Sequence, residues 1–300
     1  MKKWIPVATF GALIAAFYFY QSNLTEPTHE TLPETSASLT APAPDARDKG
    51  TSSSSIENVP LEPMSDVEQA EVHFSAPTAD AVTYVMEDGV AVVNEDIVVG
   101  VPRSAKMQGS VSFESLRLWE DGVVPFHIQG DLEGKERVIQ AIAMFADTPI
   151  KFVPFSNQAD ALVFETGSGC KSYLGKVGGH QPIWISPACS SRDIAHEIMH
   201  ALGFIHEQNR SDRDQFVSIV WENIQDAFKH NFELFPQSLM VLSGQSPFDF
   251  ESIMLYQATA FGKNNNEPTI LPKTEGKIIA PSAVLSAADT LRLERVYGSR

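Results

Sequence analysis

Apolar and polar positions divide the chain into stretches of different period. Behind Lys2 and Lys3, an uncharged apolar run extends from Trp4 to Tyr20. Two cations before such a run form the n- and h-regions of a signal peptide. The run is also long enough for an uncleaved membrane anchor, and both readings stand for residues 1–22. Residues 23–66 are Ser, Thr, Pro, Ala and acids with few large apolar side chains. That composition buries too little apolar surface to offset the entropy of ordering, so it predicts a disordered linker. Alternation returns within residues 67–110. Ala81–Val85 and Val90–Val101, either side of Glu87-Asp88-Gly89, predict a small hairpin ahead of the main domain.

From residue 111 to 300 the pattern is that of one mixed domain. Val138, Ile139, Ile142, Ala143 and Phe145 recur at helical spacing within Glu133–Asp147. Ile150–Val153, Ala161–Phe164 and Ile183–Ser186 read as short strands. Ser190 and Asp193 form a capping pair for a helix whose buried stripe is Ile194, Ile198 and Leu202. Phe216–Val220 predicts a strand, Trp221–Phe235 a helix, and Ser286–Tyr297 a capped terminal helix.

The capped helix carries the chemistry. His196 and His200 stand one turn apart on one face, so both imidazoles reach a single metal ion. Glu197 lies about 100° around the helix, where its carboxylate touches a water on that metal. Gly203 permits a left-handed turn that ends the helix and swings His206 back as a third nitrogen ligand. Three histidines and an open position describe a catalytic zinc site; a structural site closes its fourth position with protein. His127, His180 and His230 lack such company and read as ordinary side chains.

Composition narrows the partners. The net charge of −16 is uneven: residues 1–100 hold 15 acids against 4 bases, and residues 101–300 hold 23 against 18. No basic stripe exists, so nucleic acid is excluded as a partner class. The chain has two cysteines, Cys170 and Cys189. An even count in an exported chain suggests one disulfide, with two buried thiols as the other reading, and the spacing does not match a metal knuckle.

Residues 203–214, Gly-Phe-Ile-His-Glu-Gln-Asn-Arg-Ser-Asp-Arg-Asp, closely resemble the signature of the astacin metalloproteases, a branch of the metzincins. Ser252-Ile253-Met254-Leu255-Tyr256 resembles the family's Met-turn, with Leu255 where a His is usual. Leu118–Phe126, Gly169–Gly175 with Cys189, and Leu285–Asp289 with Val296-Tyr297 resemble other segments, so the likeness spans about residues 116–298. The family's second disulfide would join the positions of Pro149 and Ser299, and both cysteines are absent together. The resemblance implies an α+β metzincin domain: a twisted mixed sheet with helices, in two subdomains flanking an active-site cleft. It implies one Zn2+ per chain on His196, His200 and His206, with Glu197 as general base. It also pairs Cys170 with Cys189.

Further roles follow from the resemblance. Tyr256 would be a switch ligand that leaves the metal and hydrogen-bonds the oxyanion; otherwise it is a core aromatic. Met254 would floor the histidines without binding metal. Val93-Asn94-Glu95-Asp96 sits where the family carries Phe-x-Gly-Asp, whose aspartate occupies the metal's water position in the zymogen. Asp96 is thus either a zymogen ligand or an acidic loop residue. Cleavage would fall between Arg103 and Val111, with Arg103 and Lys106 as basic sites for an activating protease. Glu207 would then bind the new α-ammonium, or else backbone or Arg210. Ile183-Trp184-Ile185 occupies the place of the strand along which substrate peptide lies antiparallel. The activity implied is a secreted or periplasmic zinc endopeptidase made as a zymogen and acting on proteins or peptides. A surface-anchored protease and a zinc-bearing peptide binder are its alternatives.

Overall fold

Alternating burial along the strands and one apolar stripe on each helix put the core between a sheet and its helices. The computed structural model describes residues 72–73, 81–101, 108–113, 116–239 and 246–298. The stretch read as leader or anchor, the 23–66 linker, Arg103, Lys106 and Ser299 lie outside them. The elements are β1 (Val72–His73), β2 (Val82–Glu87), β3 (Val90–Val93), β4 (Ile97–Gly100), β5 (Gln108–Phe113) and β6 (Val123–Ile128). After these come α1 (Lys135–Ala143), β7 (Lys151–Pro154), β8 (Ala161–Thr166), β9 (Lys171–Tyr173), β10 (His180–Ile185) and α2 (Ser191–Ala201). The C-terminal part adds β11 (Val217–Ile219), β12 (Ile270–Pro272) and α3 (Ala287–Tyr297). No helix among the described residues is long and apolar enough to cross a membrane.

One mixed sheet runs β1-β5-β2-β3-β4-β9-β10-β8-β6-β7. β7, β6, β8 and β10 are parallel, and β9 lies antiparallel to β10. Val124, Phe164, Ile183 and Ile185 of the sheet share a core with Val138 of α1, Ile194 and Ile198 of α2, and Leu293 and Tyr297 of α3. A second core of Val217, Ile224, Phe232, Phe248, Phe250, Leu255 and Ile270 fills the part after Gly203. The α+β class and the two-part build agree with the sequence.

Four local expectations need correcting. The helix read over 133–147 is Lys135–Ala143, because Gly134 takes φ 70° at its start and bonds of three-residue spacing close its end at Met144–Ala146. Ile139 faces solvent at 53 % exposure. Trp221–Phe235 is not an α-helix but two 3-10 segments, Trp221–Asn223 and Asp226–Phe232. Ile224 between them is extended and bridges Gly262. A tertiary bridge thus overrides the local spacing.

The other two corrections bear on the cleft. Val90–Val101 is not one strand but β3 and β4, broken at Asn94–Asp96, where Asn94 and Glu95 have φ of 52° and 81°. The hairpin expected about Glu87-Asp88-Gly89 is present as β2-β3, and β4 carries it into the main sheet parallel to β9 through Ile97–Ser172 and Val98–Tyr173. β10, expected to receive peptide, is interior: β9 covers one side and β8 the other. Among the strands after residue 116 the sheet ends at β9 on one side and β7 on the other, and β4 pairs with β9.

Cys170 and Cys189 are disulfide-bonded, tying the start of β9 to the residue before the α2 cap. Closing a loop of 19 residues removes denatured-chain entropy worth about 3 kcal/mol. The double replacement Cys170→Ser/Cys189→Ser should lower the unfolding free energy by about that amount, read from urea unfolding with the slope fitted freely, since the uncrosslinked denatured chain exposes more surface.

Candidate metal centre

Ser190 accepts from the Asp193 backbone N–H and Asp193 reciprocates, so α2 starts one turn before His196. The helix holds His196 and His200 side by side. Gly203, at φ 97°, ends it, and the chain returns so that His206 reaches the same point. His206 Nε2 lies 2.9 Å from His196 Nε2 and 3.3 Å from His200 Nε2. Asp96 completes the group, its carboxylate 3.3, 3.4 and 3.2 Å from the Nε2 atoms of His196, His200 and His206.

Hydrogen bonds fix which nitrogens face inward. His196 Nδ1–H donates to the Ile253 carbonyl at 2.9 Å, and His200 Nδ1–H to the Phe204 carbonyl at 2.8 Å. Their Nε2 lone pairs therefore point at the shared centre. Burial lowers the pKa of His200, and that of His206 to about 4, and the Asp96 charge opposes it at both rings. Burial opposes ionisation of Asp96, but the His206 and His200 imidazoles beside it hold its carboxyl well below the usual range. Convergent lone pairs and a carboxylate, largely buried, repel one another unless a cation sits among them. Three imidazole nitrogens with one oxygen fit zinc in number and type, and all four donor atoms lie within 4.8 Å of one another.

The remaining predicted residues surround this centre. Glu197 and Tyr256 line a cleft of about 610 Å³ together with His196, Asp96 and Lys171. Burial, reinforced by the Asp96 charge, raises the Glu197 carboxyl well above its ordinary range, and its Oε2 has no hydrogen-bond partner. The Tyr256 ring stands 4.8 Å from that of His206, and its hydroxyl donates to the Asn94 carbonyl at 2.6 Å. Met254 is buried beside Ile253, the residue that holds His196. Asn94 is buried with both side-chain atoms unpartnered. Glu95 occupies the position where the Phe-x-Gly-Asp pattern has its glycine, and its φ of 81° is one that glycine takes at no steric cost.

Glu207 is engaged from within the chain. Its carboxylate lies 3.0 Å from Arg292 and 3.3 Å from Arg210, and accepts from the Asp249 N–H at 2.9 Å. Burial raises its pKa, opposed first by Arg292 and then by Arg210. Arg292 and its partner Asp289 went unnoticed as site residues in the sequence. Asp289 accepts from Ser252 Oγ at 2.6 Å and from the Ile253 N–H at 2.9 Å, so α3 steadies the turn whose carbonyl holds His196. No spacing rule would have shown this, since the contact spans 36 residues.

Known proteins agree with this geometry. Residues 112–298 match the model of the family described as Astacin (Peptidase family M12A). The chain belongs to the astacin family. It is similar to Zinc metalloproteinase nas-14 of Caenorhabditis elegans, 36 % identical over 60 % of this chain and 37 % of that protein. It is also similar to Low choriolytic enzyme of Oryzias latipes, 41 % identical over 58 % of this chain and 65 % of that protein. The chain thus spans between about a third and two thirds of these curated relatives. Among solved structures it resembles High choriolytic enzyme 1, a hatching enzyme zinc-protease of the same fish. There the TM-score is 0.55 at 33 % identity, over 62 % of this chain and 94 % of that one. Zinc is the metal of this astacin centre.

The full chain should carry one zinc per molecule by elemental analysis. His206→Ala should lower zinc affinity at least tenfold with the fold intact by circular dichroism.

Proposed function

We propose that the chain is an exported zinc-dependent endopeptidase held latent by its own N-terminal segment. The observation that carries the reading is a buried carboxylate, Glu197, with a free oxygen on the helix that bears two of the metal's imidazoles. A structural zinc site has no use for such a group.

His196, His200 and His206 would hold the zinc, which when bound supplies Lewis-acid polarisation and acidifies water. Glu197 takes a proton from the attacking water and returns it to the nitrogen leaving the scissile bond, so that one residue serves both halves of the reaction. Tyr256 donates its hydroxyl to the oxyanion growing on the peptide carbonyl. Strand β9 offers main-chain groups to an extended substrate, which would add to the sheet there.

Latency rests on β4 and Asp96. β4 lies on the β9 edge, the Ser172 N–H donates to the Asp96 carbonyl at 3.0 Å, and the Asp96 carboxylate faces all three imidazoles. The same segment claims the Tyr256 hydroxyl. Substrate edge, water position and oxyanion donor are thus taken together. Cutting at Arg103 or Lys106 by an activating protease would begin release. Residues 1–22 would direct export as a cleaved leader or a retained anchor. Proteins or peptides would be the substrates.

Casein hydrolysis by the trimmed chain should vanish in Glu197→Ala while zinc content stays near one; a trimmed wild type that keeps zinc and cuts nothing would favour a peptide binder instead. Asp96→Ala should give untrimmed chain at least tenfold more hydrolysis than untrimmed wild type. Equal latency of the two would remove Asp96 from this role.

A further inference from the structure

Glu207 follows the third ligand, His206, and its N–H donates to the Met254 carbonyl at 2.9 Å. Its side chain belongs to a group of four buried charges. Glu207 and Arg210 are each 1 % exposed, Arg292 is 2 % and Asp289 is 0 %. Two acids therefore face two bases. Charges this deep persist where they are balanced and hydrogen-bonded. Arg292 enters the group from α3, 3.0 Å from Glu207 and 3.1 Å from Asp289. It also donates to Ser246 Oγ at 2.7 Å, to the Pro247 carbonyl at 3.3 Å and to Ser252 Oγ at 3.4 Å.

The oxygens of both acids are taken. Glu207 Oε1 faces Arg292 at 3.0 Å and Arg210 at 3.5 Å; its Oε2 faces Arg210 at 3.3 Å and accepts from the Asp249 N–H at 2.9 Å. Asp289 Oδ1 accepts from Ser252 Oγ and Arg292, and its Oδ2 from the N–H groups of Ile253 and Ser286. The outer edge of Arg210 is closed by the partly exposed Asp212 at 2.9 Å. A carboxylate has room for about four donors, and each of these has four. The α-ammonium expected at Glu207 after trimming thus has no seat there. It would give up water to meet filled oxygens and two guanidinium groups of its own sign.

Resting on the proteolytic reading above, we infer that Arg292 is a positioning residue that holds Glu207 in place of a new α-ammonium, so that the trimmed enzyme works with any N-terminus. Its guanidinium ties the His206–Glu207 segment to Ser252 and Asp289, and Asp289 fixes the turn whose Ile253 carbonyl orients His196. Two of the three metal ligands therefore depend on a cation already present before the chain is cut. Activation then consists of removing the N-terminal segment. The activating protease is constrained by access to residues 103–111, and the residue at which it cuts is immaterial.

The test starts from full-length chain. Arg103→Gln/Lys106→Gln/Met107→Arg, cut after position 107 by limited trypsin digestion, begins at Gln108, which closes to a pyroglutamyl ring and loses its amine. Its kcat/KM on a casein-derived peptide should lie within about twofold of wild type cut at Arg103 or Lys106. Arg292→Gln should lower kcat at least tenfold at unchanged KM, and Arg292→Lys should recover most of that loss. A second measurement needs no hydrolysis. The α-amine of trimmed wild type should react with an acylating reagent as fast as that of a model peptide, titrating near its ordinary value of about 8. Tenfold protection of that amine, a tenfold loss of activity on closing it, or wild-type kcat in Arg292→Gln would each overturn the inference. Trimmed wild type that cuts nothing while its amine reacts freely would instead refute the protease reading and leave Glu207 with Arg292 as its cation.

Discussion

Two carbonyl oxygens decide where the centre's lone pairs point. Ile253 and Phe204 accept from the Nδ1–H groups of His196 and His200, which leaves each Nε2 with its lone pair aimed at His206 and Asp96. Lone pairs and a carboxylate gathered at so buried a point favour a cation among them. The fold is arranged around that demand. The α2 cap sets the helix phase, the Gly203 turn returns the third ring, and Asp289 of α3 pins the turn that presents the Ile253 carbonyl. A residue about 90 positions from the helix thus decides the orientation of its first histidine.

Most of this was legible where local chemistry is strong. The α2 cap, the paired histidines, the Gly203 turn and the terminal helix from Ser286 follow from side-chain spacing alone, and each lies within a few residues of its cause. Legibility failed where the cause is distant. Trp221–Phe235 has helical spacing, yet Ile224 is drawn out to bridge Gly262. Ile183–Ile185 has the composition of a strand, but composition does not tell an edge from an interior, and β9 lies between it and β4. Lys171 stood inside a quoted motif without suggesting chemistry, since its partners lie more than 80 residues away. Asp96 could be seen as a candidate; the three distances around it could not.

The N-terminal segment departs from its usual pattern in a way the backbone explains. Asn94 and Glu95 both take left-handed φ values, which bend the chain between β3 and β4 and deliver Asp96 to the imidazoles. Asparagine tolerates that region; glutamate is strained in it. Burial and the Asp96 charge also push the Glu95 carboxyl up to about 7. The segment therefore places its key carboxylate at a conformational and electrostatic cost. The main sheet, the Lys171 pairs and the Thr83 bonds to Glu233 offset that cost.

The apolar contacts of that segment have their own consequence. Val82, Tyr84, Val93, Ile97 and Val99 share one core with Leu174, Ile205, Phe235 and Leu239 of the catalytic part. If the chain is latent as proposed, severing the backbone would leave this greasy seam untouched, and a nicked molecule would still hold its own plug. Emergence of working enzyme would then be governed by dissociation of the fragment, and the bared Leu174, Ile205, Phe235 and Leu239 would invite it, or another oily surface, back.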